Sequence, residues 1–262
     1  MNNQIMLVTQ IQFKIDTQEN SGIQHDEIQW LLGTYRMGRH ILGREFPVAQ
    51  QSEQFVVFTL IPAEDAFDTA TLNKYIQERL QKLSSVGLSQ PIYDILGKDP
   101  SESSACVCKE SPALILFTTY LTLQSPLKCA ACFSPIPLYR IPRFPSEDFH
   151  DIISWQSDYQ SCDSLQMNCS TGERFAIRQL SSYDSSLSQR GLKICNVIEE
   201  LTGRAVYYYL YRGTGKSHKL ELNRKCPHCE GEWLSKEPWH KVFDFRCDKC
   251  GLLSNIAWSF KP

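Results

Sequence analysis

At 262 residues and a net charge of −2, the chain has room for one large domain or two smaller ones, and it lacks the charge of a wholesale polyanion binder. Hydrophobic residues make up 42%, enough for an ordinary core. No apolar run approaches the roughly 18 residues of a transmembrane helix, which predicts no membrane span. Eleven cysteines, an odd number, and an N-terminus that alternates polar with apolar residues without a basic leader point to a reducing cytoplasm rather than export.

Residues 5–15 read as a strand with Ile11, Phe13 and Ile15 on one face. Ile28, Leu31, Leu32 and Tyr35 fall at i, i+3, i+4 and i+7, the spacing of an amphipathic helix, which weakens at Gly38 and stops near Gly43 and Pro47. Phe55 to Ile61 is a short buried strand. Thr69 to Leu83 is a second helix with Leu72, Tyr75, Ile76, Leu80 and Leu83 inward, ended by Gly87. Residues 97–112 are rich in Ser, Pro and charge and read as a linker.

Beyond it, 113–123 (ALILFTTYLTL) reads as a buried strand, and five prolines from Pro126 to Pro145 break the next stretch into turns. A helical pattern begins at Glu147, with Phe149, Ile152, Ile153, Trp155, Tyr159 and Leu165 apolar. Another runs from Ser186 to Leu201, with Gly203 placed to end it in a left-handed conformation. Val206 to Leu210 is a strand. The reading is an α+β protein: an N-terminal α/β domain (1–105), a mixed middle domain (106–212) and a C-terminal three-stranded zinc ribbon (213–262).

The ribbon rests on KLELNRKCPHCEGEWLSKEPWHKVFDFRCDKCGLLSNIAWSF, residues 219–260. Two Cys-x-x-Cys pairs, Cys226/Cys229 and Cys247/Cys250, are separated by 17 residues, a spacing specific for zinc. Each pair aims two thiolates at one point, and together they complete an all-sulfur tetrahedron. Pro227, Gly231 and Gly251 supply the turns. Strands are expected at Leu220 and Leu222, at Val242, Phe243 and Phe245, and at Ile256, Trp258 and Phe260. Four cysteines leave no position for water, so the site is structural. His228 and His240 are alternative ligands that four well-spaced cysteines make unnecessary.

Other motifs carry less. Gly213 to Ser217 (GTGKS) resembles a phosphate loop, but Leu210 stands where its first glycine belongs, and 218–222 reads as a strand where a helix is needed. Cys129 and Cys132 form a third Cys-x-x-Cys, open to three readings: half of a second zinc site, a redox pair, or two core thiols, the last favoured. Cys162 and Cys169 are its obvious partners. On one helix they would lie about 10.5 Å apart, whereas two sulfurs on one zinc lie about 3.8 Å apart, so the helix must end before Cys169. Cys106-x-Cys108, in the linker, is a weaker motif still.

Arg36, Arg39, His40 and Arg44 cluster where the first long helix ends. They either complement its dipole or form a phosphate-contacting face. Trp233, Trp239, Trp258, Phe243 and Phe245 are better placed as a small core than as base-stacking platforms. No catalytic triad or dyad can be assembled. Residues 213–262 hold nine basic to six acidic side chains, a modest excess compatible with nucleic acid.

The stretches LLGTYRMGRHILGREFP (31–47), KCAACFSPIPLYRIP (128–142), SWQSDYQSCDSLQMNC (154–169) and FDFRCDKCGLLSN (243–255) resemble a family of uncharacterised bacterial proteins that contain a zinc ribbon and are suggested to bind nucleic acid. The resemblance spans nearly the whole chain. It implies a bacterial cytosolic protein whose zinc ligands are Cys226, Cys229, Cys247 and Cys250.

The expected function is therefore a non-catalytic zinc-ribbon protein that binds DNA or RNA through Lys216, Lys219, Arg224, Lys225, Lys241, Arg246 and Lys249. The competing expectation is an adaptor whose ribbon docks on a partner protein. Third comes an enzyme built around Cys129, Cys132 and the Cys162–Cys169 region. One structural zinc ion is expected, with a second at Cys129/Cys132 as the alternative.

Overall fold

The computed structural model describes residues 6–17, 21–100, 104–144 and 148–260, and the expected helix start at Glu147 lies outside them. The chain divides into two compact units. One comprises Met1–Val107, Leu123–Ser125 and Ser134–His150; the other comprises Cys108–Thr122, Pro126–Phe133 and Asp151–Pro262.

The first unit runs β1 (Leu7–Lys14), α1 (Ser21–Met37), β2 (Val48–Gln50), β3 (Gln54–Ile61), α2 (Lys74–Lys82) and β4 (Ile92–Lys98). Its four strands lie in the order β2-β3-β1-β4, every pair antiparallel. Each helix thus crosses between two strands that flank a third, the split βαβ arrangement of ferredoxin-like folds. Alternation in β1 turns Leu7, Ile11 and Phe13 inward. They share one core with Phe55, Val57 and Ile61 of β3, with Ile28, Leu31, Leu32 and Tyr35 of α1, and with Ile76 of α2. The period-two and period-3.6 patterns therefore meet on one face.

Two expectations change here. Helix α2 starts at Lys74 rather than Thr69, because the Asn73 side chain accepts the Ile76 N–H at 2.9 Å and caps the helix there. Tyr75, expected inward, is 42% exposed.

Arg39 and His40 are buried, which withdraws both from any phosphate-contacting face. His40 Nδ1 lies 2.6 Å from the Ala66 carbonyl oxygen, and its ring stacks on Tyr139 at 4.8 Å. Burial holds the imidazole down at about 4 and pushes the Arg39 guanidinium down to about 10. Beside them Asp65 accepts from Tyr139 Oη at 2.7 Å and from Arg140 Nε at 2.8 Å.

The second unit is built on a six-stranded sheet, in the order β6-β5-β7-β10-β9-β8. The strands are β5 (Ala113–Leu116), β6 (Leu127–Cys129), β7 (Ala205–Leu210), β8 (Leu234–Trp239), β9 (Phe243–Cys247) and β10 (Leu252–Ser254). Between β6 and β7 the chain forms α3 (His150–Asn168), α4 (Glu173–Ser181) and α5 (Ser186–Thr202), and α6 (His218–Leu222) comes after β7. Strands β5 and β7 are parallel, as are β7 and β10. A parallel pair needs a long crossover, which the helices between β6 and β7 provide for β5 and β7.

The strand expected over 113–123 ends at Leu116 because α3 captures the segment from Thr118 to Thr122. Gln156, Gln160, Asp163 and Gln166 recur along α3 at three- and four-residue steps and are buried. Gln160 Nε2 donates to the carbonyls of Thr119 and Thr122 at 3.0 and 2.6 Å, and Asp163 accepts the Tyr120 N–H at 2.8 Å. This row satisfies backbone groups that a longer strand would have paired. Helix α5 ends at Gly203 with φ 66°, as expected.

Near the C-terminus the expected strand at Leu220 and Leu222 is instead α6, and the one at Ile256 to Phe260 is replaced by β10 and a 3-10 turn at Trp258–Phe260. The Ser217 side chain caps α6 by accepting the Leu220 N–H at 3.3 Å. The local hydroxyl cap outweighs a five-residue alternation.

This packing is open to test at two positions. A Cβ at Gly191 would sit 2.1 Å from Tyr208 Cε2 and 2.8 Å from Trp155 Nε1, both buried rings. Gly191→Ala is expected to lower the unfolding free energy by about 3 kcal/mol despite the better helix former, measured by urea denaturation. His40 titrates lower in the fold than in the unfolded chain, so its contribution is complete above about pH 6.5 and lost as the pH falls toward about 4. Up to about 3 kcal/mol should disappear over that window, and the His40→Asn variant should show a flatter stability profile across it.

Candidate metal centres

The sulfur atoms of Cys226, Cys229, Cys247 and Cys250 all lie within 4.8 Å of one another. The Cys229 and Cys247 sulfurs are 3.7 Å apart, against about 3.8 Å for thiolates sharing one tetrahedral zinc. Two backbone turns set this up. In the first, the Glu230 N–H donates to the Cys226 carbonyl at 2.9 Å, and the Cys226 N–H donates to the Gly231 carbonyl at 3.0 Å. In the second, the Cys250 N–H donates to the Cys247 carbonyl at 3.2 Å.

The residue four places after each leading cysteine is left-handed: Glu230 at φ 58° and Gly251 at φ 59°. Gly251 fills the turn role expected of it. In the first turn Glu230 takes that role rather than Gly231, at a steric cost of roughly 1–2 kcal/mol.

The thiols are not equivalent. A hydrogen bond from the Gly231 backbone draws Cys229 down to about 7, while burial pushes Cys247 and Cys250 up. Four adjacent thiolates require a compensating cation, and metal binding displaces their protons. The group can hold a metal ion. Neither histidine belongs to it: His228 Nδ1 lies 3.4 Å from Cys250 Sγ with its ring against Tyr183, and His240 Nε2 lies 2.9 Å from the Ala130 carbonyl.

A buried carboxylate anchors the chain leading into this group. Glu221, 1% exposed, accepts from Arg212 Nη2 at 2.6 Å and is ion-paired with Arg224, whose Nε lies 3.2 Å from its carboxylate. Gly215 is required above it, since a Cβ there would lie 2.6 Å from Glu221 Oε1. The GTGKS loop is therefore filled by an anionic side chain. A helix does come next, contrary to expectation, but the loop's own carboxylate repels phosphate.

The basic and aromatic residues divide into two sets. Arg224 is partly buried, lies 4.3 Å over the Phe245 ring and donates to the Asn255 carbonyl at 2.8 Å. Burial lowers it to about 10, so it stays charged at neutral pH. Lys225 pairs with Glu232, and Arg246 pairs with Asp248 at 2.5 Å while lying over Trp239. Lys216, Lys219, Lys241 and Lys249 form no ion pair among the described residues. Trp233, Phe243 and Phe245 are core side chains, whereas Trp258 is 49% exposed.

A second group forms where it was least expected. Cys129 and Cys132 come together with Cys106 and Cys108, all four sulfurs again within 4.8 Å of one another. Only one residue separates Cys106 from Cys108, so a single short segment sets both thiols. Helix α3 ends at Asn168, which meets the condition for Cys169 to turn back, yet Cys169 and the buried Cys162 stand outside the group. The decisive contact is the β5–β6 pairing, which sets Leu114 opposite Cys129 and returns the segment before β5 to the turn after β6. This group too can hold a metal ion. Only the bare Cys-x-Cys spacing signalled it in the sequence.

Three family models match the chain: Domain of unknown function (DUF8589) over residues 6–97, Domain of unknown function (DUF2310) over 108–211 and Domain of unknown function (DUF8594) over 215–260. Among solved structures, a cofactor-independent oxygenase from Streptomyces nogalater, SnoaB, aligns over 37% of this chain and 99% of its own, at 9% identity and a TM-score of 0.30. A likeness of that size carries neither fold nor function.

Two relatives come from Haemophilus influenzae, each described as an uncharacterized protein. One is 40% identical over 151 residues, 57% of this chain and 74% of the relative. The other is 32% identical over 261 residues, 97% of this chain and 100% of the relative. The chain belongs to the same family as this full-length Haemophilus influenzae protein.

Proposed function

We propose that Cys226, Cys229, Cys247 and Cys250 hold one zinc ion, that β8, β9 and β10 are the three strands of a zinc ribbon, and that the chain is a non-catalytic nucleic-acid-binding protein. The observation that carries the structural role of the metal is the closed set of four sulfurs, which leaves no coordination position for water or substrate. Binding falls to Lys216, Lys219, Lys241 and Lys249, which of the seven expected contact residues are the four that form no ion pair among the described residues; they are suited to phosphates and carry no base readout. Arg224, Lys225 and Arg246 are already engaged within the fold.

A second reading, docking on a protein partner, is favoured by the exposure of Leu220, Leu234 and Trp258, at 58%, 43% and 49%. Exposed apolar side chains of this size suit a protein interface better than a phosphate backbone.

Cys226→Ser in the full chain should release the ribbon ion, measured as metal per chain, and should red-shift the fluorescence of Trp233, which packs on Phe245 at 5.2 Å. Retention of the ion with unchanged fluorescence would refute the ribbon site. Binding of mixed-sequence DNA and RNA should weaken with salt at a logarithmic slope of about −3 to −4 if all four lysines engage phosphates. Changing Lys216, Lys219, Lys241 and Lys249 together to Ala should abolish that dependence. No binding at low salt would remove the nucleic-acid reading in favour of protein docking.

A further inference from the structure

We propose that Cys106, Cys108, Cys129 and Cys132 form a second structural zinc site, independent of the ribbon ion. The backbone has the right shape for one. The Phe133 N–H donates to the Cys129 carbonyl at 2.8 Å, and Phe133 adopts φ 61°. The first ribbon turn repeats both features: Glu230, four residues after Cys226, donates to its carbonyl at 2.9 Å and sits at φ 58°. Gly251, four residues after Cys247, is likewise left-handed at φ 59°. All three Cys-x-x-Cys turns of the chain thus share one left-handed step, and two of them belong to a four-sulfur group with the spacing of a zinc ribbon.

Phenylalanine is a poor residue for that step, which costs an L side chain with a Cβ roughly 1–2 kcal/mol. Such a conformation persists where its surroundings over-determine it. A metal drawing the Cys129 and Cys132 sulfurs together is one such constraint. Packing of the Phe133 ring on His240 at 4.9 Å is another.

The chemistry of the donors agrees. Four sulfurs within 4.8 Å of one another fill a zinc shell without water. Cys129 Sγ lies 3.2 Å from Ser111 Oγ, which also accepts the Ala130 N–H at 3.2 Å. The Ser111 hydroxyl donates to the Ala113 carbonyl at 2.5 Å; with Cys129 a thiolate, that proton can turn from the carbonyl to the sulfur, an outer hydrogen bond of the kind that steadies metal ligands. A redox disulfide fits less well, because it would engage only Cys129 and Cys132 and leave the convergence of Cys106 and Cys108 on them without a role.

The site also has a structural task. Its turn is tied to the β8–β9 connection, where His240 Nε2 donates to the Ala130 carbonyl at 2.9 Å. Metal at this site therefore stiffens the connection that leads into β9 and Cys247.

The test is zinc content and thiol protection on the purified full chain. Two ions per chain are expected, falling to one in the double variant Cys106→Ser with Cys132→Ser, and to one in the double variant Cys229→Ser with Cys250→Ser. Peptide-mapped iodoacetamide labelling of the zinc-loaded wild type should spare Cys106, Cys108, Cys129 and Cys132 while labelling the exposed Cys169. Chelation should expose Cys108 and Cys132 to the reagent. A single ion per chain with Cys108 and Cys132 labelled as fast as Cys169 would overturn the proposal and leave the ribbon site standing, since Cys226, Cys229, Cys247 and Cys250 are read separately in the same map. Should either double variant aggregate, cobalt(II) titration of the metal-free wild type decides: tetrathiolate absorption saturating at two equivalents supports the second site, and saturation at one overturns it.

Discussion

The approach of Gly251 to the Val206 carbonyl is the constraint on which the second unit turns. A Cβ at Gly251 would stand 2.9 Å from that oxygen, so only glycine brings the backbones this close. The same residue supplies the left-handed step that ends the Cys247–Cys250 turn, and its carbonyl accepts the Tyr208 N–H at 2.8 Å. One position thereby joins a turn of the four-sulfur group to the parallel pairing of β7 and β10. The C-terminal strands are consequently not an appendage: they extend the sheet that begins with β6 and β5.

This continuity explains why so much of the C-terminal chemistry is inward. Phe243 lies in one core cluster with Tyr207, Tyr209 and Leu253, and the Tyr209 hydroxyl donates to Asn255 at 2.7 Å. Glu221 and its two arginines hold α6 and the chain after β7 around a desolvated charge. A buried carboxylate of this kind is tolerated only with its partners in place. Arginines that read as a nucleic-acid surface in one dimension are therefore committed to the fold in three. What remains on the outside is lysine and glutamate, with scattered apolar side chains.

The first unit obeys a simpler logic. Its sheet and two helices close over one apolar core, and its polar exceptions are local: a neutral histidine held by a carbonyl and a stacked tyrosine, and an aspartate held by Arg140 and Tyr139. Burial governs the imidazole and the neighbouring Arg39 guanidinium in the same direction, disfavouring the charged form of each. Among the described residues, no helix in either unit is long and apolar enough to cross a membrane.

Sequence by itself determined the features with short-range causes. The period of Ile28, Leu31, Leu32 and Tyr35 made a helix, the alternation of β1 made a strand, and Gly203 ended α5, because each depends on neighbours within a few residues. The spacing of Cys226, Cys229, Cys247 and Cys250 likewise announced one four-sulfur group, since each pair is its own turn. Tertiary structure alone decided which thiols join Cys129 and Cys132, because β5–β6 pairing is invisible to spacing and the helical reading favoured Cys162 and Cys169. It also decided the ferredoxin-like order of the first sheet, whose hairpin strand β2 has only three residues and no alternation to reveal it. The buried glutamines of α3 and the arginines around Glu221 belong to the same class. Polar side chains look like surface until the backbone groups and charges they satisfy are brought to them from distant parts of the chain.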